Sequence, residues 1–374
     1  MKQYEEVFFA LVRTALWKAP LEVPEGFRDW GSVMKLAKSQ AMTGLVADVL
    51  LRSPQILSTL PERFVARLQE IPLENMGVHT VLNNTLIMVV TRLREHGIEP
   101  VLLKGQGLAS YYPVPQLRQC GDIDLYVGVE NYEKAYEVLE PVATEIDDRS
   151  KIWGWMHFHL KIGPVLIEIH HKVEYAFAPK YDRIFQKKSY DGLTRKLTQV
   201  DFCGTSVNTP DDNFNAFYVF YHLWRHYVAS GVGLRQLCDL MNFLHSKFGQ
   251  LDLDYLKNFI SRMELMVPWQ TIGCIYVDIL GMPKEEFPFY NSRMRAKADK
   301  FLRIVLTEGN FGQKTDYVRK RKSSYLYEKW FSFKCHVKRL TEMFSIFPYQ
   351  AFVRVFHMLY DGIRMIVKDI TRKR

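Results

Sequence analysis

The chain has 374 residues, 48% of them hydrophobic and 24% charged, a globular composition that excludes a disordered or low-complexity protein and has room for two or three domains. The net charge is +9, with a pI near 9.1, which suits phosphates, nucleic acid or an anionic membrane surface as partners. A plain solubilising surface is the alternative.

The five cysteines (Cys120, Cys203, Cys238, Cys274 and Cys335) are odd in number and match no zinc or thioredoxin spacing. They are expected to be reduced, in a cytoplasmic protein. The start, MKQYEEVFFALVRTALW, has acids before its apolar residues and no cleavage-like site, so a signal peptide is not expected. No apolar run approaches the ~20 residues of a membrane span.

Residues 1–90 read as a helical region. Phe8, Phe9, Leu11, Val12, Leu16 and Trp17 form a helical stripe that Pro20 and Pro24 end. A second helix is expected over Ser32–Leu51, closed by Ser53-Pro54, and two more over Pro61–Ile71 and Asn75–His96. Gly97 is placed to cap the last of these. The segment carries no chemistry and reads as scaffold.

From Ile98 the pattern changes to strand. Residues 98–103 lead into the turn Lys104-Gly105-Gln106-Gly107, followed by a short helix over Leu108–Tyr112. Glycines let backbone approach a phosphate, a helix start attracts anions, and Lys104 can hold a phosphate as a point charge. Pro113 and Pro115 stiffen the next loop. Arg118 lies four residues before Asp122 and suits phosphate contact or pairing with the nearby acids.

Gly121-Asp122-Ile123-Asp124-Leu125-Tyr126-Val127 alternates acid with apolar residue, which is strand periodicity. Asp122 and Asp124 share one face, where two adjacent carboxylates repel unless a cation relieves them. Oxygen-only ligands suit Mg²⁺ or Mn²⁺. Asn131 is expected to cap a helix to about Leu139, with a short strand near Ala143–Ile146 after it. His157–Ile162, Gly163-Pro164 and Val165–His170 read as a hairpin. On its second arm Leu166, Glu168 and His170 share a face, and Glu168 is the natural third carboxylate. His170 is placed to contact substrate or to orient Glu168. His157, His159 and His170 together raise zinc, but the spacing is generic and no cysteine lies near, so an oxygen-ligated ion is preferred.

These residues carry a resemblance. Leu-Lys-Gly, Tyr-Pro, Arg118, Gly-Asp-Ile-Asp-Leu and Ile-Glu-Ile-His, in that order over roughly residues 85–175, resemble the nucleotidyltransferase fold of the DNA polymerase beta superfamily, in a poorly characterised bacterial branch. The resemblance implies an α+β protein, with a small mixed β-sheet nucleotidyltransferase core flanked by N-terminal and C-terminal helical regions. Divisions are expected at 1–90, 91–200 and 201–374. It implies metal-dependent transfer of an NMP group from an NTP such as ATP to a hydroxyl or phosphate acceptor on protein, RNA or a small molecule. Asp122, Asp124 and Glu168 would hold two Mg²⁺ ions. Lys104, Gly105, Gln106, Arg118, His170, His222 and Arg235 would contact the nucleotide. The superfamily carries Gly-Ser where this chain has Gly105-Gln106, so the hydroxyl that would touch the phosphates is missing. A catalytically inactive nucleotide or RNA binder and a metal-dependent phosphohydrolase are the alternatives.

Residues 201–374 read as mostly helical. Thr209-Pro210-Asp211-Asp212 is a helix start, with Thr209 as cap, leading into Asn213–Ala229. His222 and His226 lie one turn apart, as do Arg235 and Asp239 on the following helix. They form either the second wall of a nucleotide cleft or a buried polar network joining two helices. Lys314–Lys329 alternates cations with aromatic rings and suits RNA or another polyanion, with a solvated linker as the alternative. Tyr349–Arg374 reads as an amphipathic helix with a basic end, docked on the helical region or lying at a membrane surface.

Overall fold

Seven strands form one mixed sheet in the order β3-β4-β5-β2-β1-β7-β6. They are β1 (Val101–Leu102), β2 (Asp122–Tyr126), β3 (Glu145–Ile146), β4 (His157–Ile162), β5 (Val165–His170), β6 (Thr198–Phe202) and β7 (Thr205–Thr209). The structure, a computed structural model, describes residues 1–176, 178–310, 337–356 and 358. Before the sheet come α1 (Gln3–Trp17), α2 (Trp30–Ser39), α3 (Thr43–Leu51), the single turn α4 (Pro54–Leu57) and the long α5 (Glu62–Glu95). Between its strands lie α6 (Gln106–Ala109), α7 (Tyr132–Leu139) and α8 (Pro179–Thr194), and α9 (Asp212–Ala229), α10 (Leu234–Ser246), α11 (Leu253–Arg262), α12 (Met266–Asp278) and α13 (Arg295–Glu308) follow. The fold is therefore α+β, a mixed sheet preceded and followed in the chain by helical regions.

The expected hairpin forms at the expected residues. Gly163 takes φ +56° at the turn, and Phe158 pairs with Ile169 while Leu160 pairs with Ile167. These side chains are buried with Ile123 and Leu125 against Leu86, Val89, Val90 and Leu93 of α5 and Tyr132 and Tyr136 of α7. Alternation sends His157, His159, Glu168 and His170 to the opposite face. A second, larger core joins α1–α3 directly to α9–α13, so the first and last helical regions pack together beside the sheet.

Several local expectations are corrected. The helix expected over Ser32–Leu51 is two, because Ala41 adopts φ +54° and Gln40–Met42 turns between α2 and α3. Conversely, Pro61–Ile71 and Asn75–His96 fuse into α5, which runs through Pro72. Proline removes one backbone bond there at a cost of about 3 kcal/mol. Burial of Leu68 and Ile71 on one side of it and Leu82, Leu86 and Val89 on the other offsets that loss. Gly97 does end α5, at φ +72°, with Ile98 N–H bonded to Leu93 O. Asn131 precedes α7 but does not cap it with its side chain; its Nδ2 donates to Val127 O at 3.1 Å.

β1 spans only Val101–Leu102, and the helical turn after it begins at Gln106 instead of Leu108. The sheet also extends beyond residue 200. β6 and β7 form a hairpin at Cys203-Gly204, both at positive φ, and β7 joins β1 in parallel. Thr209 is therefore a strand residue, and Asp211 caps α9 by accepting Phe214 N–H at 3.0 Å. The basic stretch 314–329 lies outside the described residues, as does most of the tail; residues 348–356 are helical. No helix among the described residues is long and apolar enough to cross a membrane.

Gln40 ties the regions together. Its Oε1 accepts the otherwise unsatisfied Leu234 N–H at the start of α10 (2.9 Å), and its Nε2 donates to Val305 O of α13 (3.1 Å). Gln40→Leu keeps the volume and strands that buried N–H, so stability should fall by about 1–3 kcal/mol in urea unfolding.

Candidate functional site

The site is built on the parallel pairing of β2 with β5, whose register sets Asp124 beside Glu168 and Tyr126 beside His170. Asp122, Asp124, Glu168 and His170 thus face the same way, into a cleft of about 370 Å³ between the sheet and α9–α10. Lys104 and Gly105, just past β1, line it as well. Gly105 sits at φ +57°, ψ −116°, and a Cβ there would lie 3.2 Å from the Asp122 carbonyl oxygen. Glycine is needed both for that backbone conformation and for the close approach of the turn to β2.

Asp124 is the electrostatic centre. Its Oδ1 receives Lys104 Nζ at 3.0 Å and His170 Nε2 at 3.1 Å, and His170 Nε2 also lies 3.3 Å from Glu168 Oε2. Burial opposes ionisation of Asp124, but Lys104 and His170 outweigh it and hold the carboxyl well below the usual range. Burial also opposes the charge on Lys104 and His170; the neighbouring carboxylates win in both, and both are raised. Glu168 is held down by its His170 hydrogen bond despite burial. Asp122 is different: burial first, then the Asp124 charge, pushes it up. A set of three carboxylates with one destabilised member fits a hard divalent cation, which would relieve the crowding.

The opposite wall comes from α9 and α10. His222 Nδ1 donates to Glu174 Oε1 at 2.9 Å, and His222 Nε2 meets His226 Nε2 at 3.0 Å. Burial holds both rings neutral, His226 down to about 2. Arg225 Nε lies 3.3 Å from Glu174 Oε2. Arg235 Nη1 donates to Gln119 O at 2.8 Å, and its pKa is lowered by burial and then by Arg118. Arg118 lines the cleft with its guanidinium committed elsewhere. Nε and Nη2 grip both oxygens of buried Asp239 at 2.8 and 2.7 Å, and Tyr112 donates to the same carboxylate at 2.8 Å.

The structure therefore brings together Lys104, Gly105, Arg118, Asp122, Asp124, Glu168, His170, His222 and Arg235 around one cleft. It does not bring in Gln106, whose side chain is buried away from the cleft lining. Glu174 was missed from sequence: it follows β5 in an irregular stretch with no periodicity to aim it. The partner of Arg118 was also missed, because Asp239 is 121 residues away in sequence.

Residues 27–279 match the family model described as "Uncharacterised nucleotidyltransferase", well over half of the chain. The chain belongs to this uncharacterised nucleotidyltransferase family. The match contains the whole sheet and both walls of the cleft. Among solved structures, an antigenic nucleotidyltransferase-like protein from Paracoccidioides brasiliensis is similar at 14% identity and a TM-score of 0.34, covering 57% of this chain and 96% of that one. No curated protein matches the chain.

Three measurements check this nucleotidyltransferase-family cleft. Asp239→Ala leaves the Arg118 charge buried without its partner and should cost about 3–5 kcal/mol in chemical unfolding. The double variant Arg118→Met/Asp239→Leu, which replaces the pair by apolar side chains, should recover most of that loss. In ring-proton NMR of chelator-treated protein, His157 should titrate near 4, because burial and His170 lower it, and His170 above its ordinary 6.5. A raised His170 contributes stability that is complete below 6.5 and lost as pH rises through its folded pKa, so His170→Gln should remove that alkaline loss.

Proposed function

We propose that this chain transfers a nucleotidyl group from an NTP to a hydroxyl or phosphate acceptor, as a bacterial, cytoplasmic relative of the DNA polymerase beta superfamily. The reading is carried by one observation: Asp122, Asp124 and Glu168 stand on adjacent parallel strands, facing one cleft beside the Lys104-Gly105 turn. Family membership supports nucleotidyl transfer in general. The odd number of cysteines, at spacings that match no zinc or thioredoxin pattern, supports a reducing compartment.

Asp122, Asp124 and Glu168 would hold a pair of Mg²⁺ (or Mn²⁺) ions, which supply phosphate charge neutralisation and acidify the acceptor hydroxyl. The chain's own residues do the rest. The Lys104 ammonium, fixed on Asp124, adds positive charge where the phosphates enter. The Gly105 turn leaves room for backbone to approach them. The acceptor oxygen bonds to the α-phosphorus, the bond to the β-phosphate oxygen breaks, and pyrophosphate leaves. Glu168, kept ionised by His170, accepts the acceptor's proton. The His222–Glu174 pair fixes the far wall and the bound nucleotide's orientation against it.

A second reading, an inactive nucleotide or RNA binder on the same fold, draws on two observations: Arg118 is engaged by Asp239, and Gln106 does not reach the cleft. Labelled NTP separates the two. Wild type should bind NTP with Mg²⁺ and pass label to protein, RNA or small-molecule acceptors, while Asp122→Ala/Asp124→Ala should lose metal-dependent binding. Binding without label transfer under any metal supports the inactive binder. Metal-dependent binding retained in the double variant overturns the site assignment itself.

A further inference from the structure

At the outer end of the cleft the hydrogen-bond directions leave an imidazole lone pair with nothing to accept. Asp147 Oδ2 accepts from both the backbone N–H and Nδ1 of His159, at 2.8 and 2.9 Å. A carboxylate only accepts, so the His159 Nδ1 atom carries the hydrogen and, in the neutral ring, Nε2 carries the lone pair. That Nε2 lies 3.2 Å from His157 Nε2, which must then be the donor. The lone pair of His157 is consequently on Nδ1. This atom is buried, has no hydrogen-bond partner, and lies 3.7 Å from Glu168 Oε2. A buried acceptor facing a carboxylate is repulsive unless a cation sits between them.

His170 arrives at the same point from the other side. Its Nδ1 lies 3.3 Å from the Lys172 carbonyl, an acceptor only, so Nδ1–H points there and Nε2 faces inward, 3.1 Å from Asp124 Oδ1 and 3.3 Å from Glu168 Oε2. His157, Glu168 and His170 each offer one donor atom, all within 4.8 Å of one another. Ligands at zinc's usual bond lengths and tetrahedral angle stand roughly 3.3–3.4 Å apart. Small side-chain adjustments close the remainder.

We propose that His157 Nδ1, His170 Nε2 and Glu168 form a binding site for one Zn²⁺-class divalent ion, with the fourth position open to the cleft. Two imidazoles and one carboxylate select such an ion over Mg²⁺. Asp147 and the Lys172 carbonyl hold the outer nitrogens through His159 and His170, as outer-shell partners of metal-bound histidines do. The ion replaces the Nε2 proton that otherwise joins His170 to Asp124 and Glu168. The site shares Glu168 with the nucleotidyl-transfer reading but does not depend on it, since neither Asp122 nor an NTP takes part.

The test uses the full chain after chelator dialysis, with Co²⁺ as the spectroscopic probe and Zn²⁺ as competitor. Wild type should develop intense visible d–d absorption at one Co²⁺ per chain, which Zn²⁺ abolishes. Asp147→Asn should weaken Zn²⁺ about 10–100-fold. His157→Gln should weaken it more, with an unchanged near-ultraviolet circular dichroism spectrum showing that the fold is kept. Asp122→Asn should retain the Co²⁺ spectrum even as Mg²⁺-dependent NTP binding falls, which separates failure of this site from failure of the transfer reading. Absent absorption in wild type, or an unchanged spectrum and affinity in both His157→Gln and Asp147→Asn, overturns the proposal.

Discussion

The site depends on one pairing, the parallel register that seats Asp124 directly beside Glu168. It brings two carboxylates together, Asp124 buried and Glu168 partly buried at the cleft, where their repulsion is screened less than in water. Lys104 from the turn after β1 and His170 from the end of β5 are the compensating cations, and both converge on the same Asp124 oxygen. Three strands are thereby joined by charge as well as by backbone. Asp122, two residues before Asp124 on the same strand, is pushed up by burial and by Asp124 more than Lys104 holds it down, and remains the destabilised member that a bound metal would relieve.

The second wall is attached through another buried ion pair. Arg118 leaves the loop before β2 and locks onto Asp239 of α10, with Tyr112 on the same carboxylate. Isolated buried pairs are weak sources of stability, but their directionality fixes how the joined elements sit. Here the joined elements are the acid-bearing strand and the helix carrying Arg235. Gln40 adds a neutral link from the N-terminal helices to the first turn of the same helix. The scaffold segment at the start of the chain is thereby tied to a helix that walls a cleft to which the segment contributes no side chain.

The face opposite the acids explains how much was legible beforehand. Ile123, Leu125, Phe158, Leu160, Ile167 and Ile169 alternate strictly and are all buried against α5 and α7. Once these apolar positions are committed inward, the period of two leaves Asp122, Asp124, Glu168, His157 and His159 no other face. The β4–β5 hairpin, its turn and the shared face of the three carboxylates follow from local pattern. Helix boundaries were less legible. Ala41 breaks a helix without any local signal, and Pro72 fails to break one, since in both places long-range packing outweighs the backbone preference. β6 and β7 were hidden because polar Thr, Gln, Asp and Asn fill positions that a buried strand would give to apolar residues.

By itself the sequence determined which residues share a strand face, because alternation is a property of covalent geometry and needs no partner. It also determined that a glycine-rich turn precedes the acids. Tertiary structure alone decided who neutralises whom: that Arg118 answers Asp239 rather than Asp122 or Asp124, that Glu174 orients His222, and that His159 turns the lone pair of His157 toward Glu168. Charges and hydrogen bonds act over a few ångströms of space, and those ångströms are spanned by residues two positions apart in one case and 48 and 121 positions apart in the others.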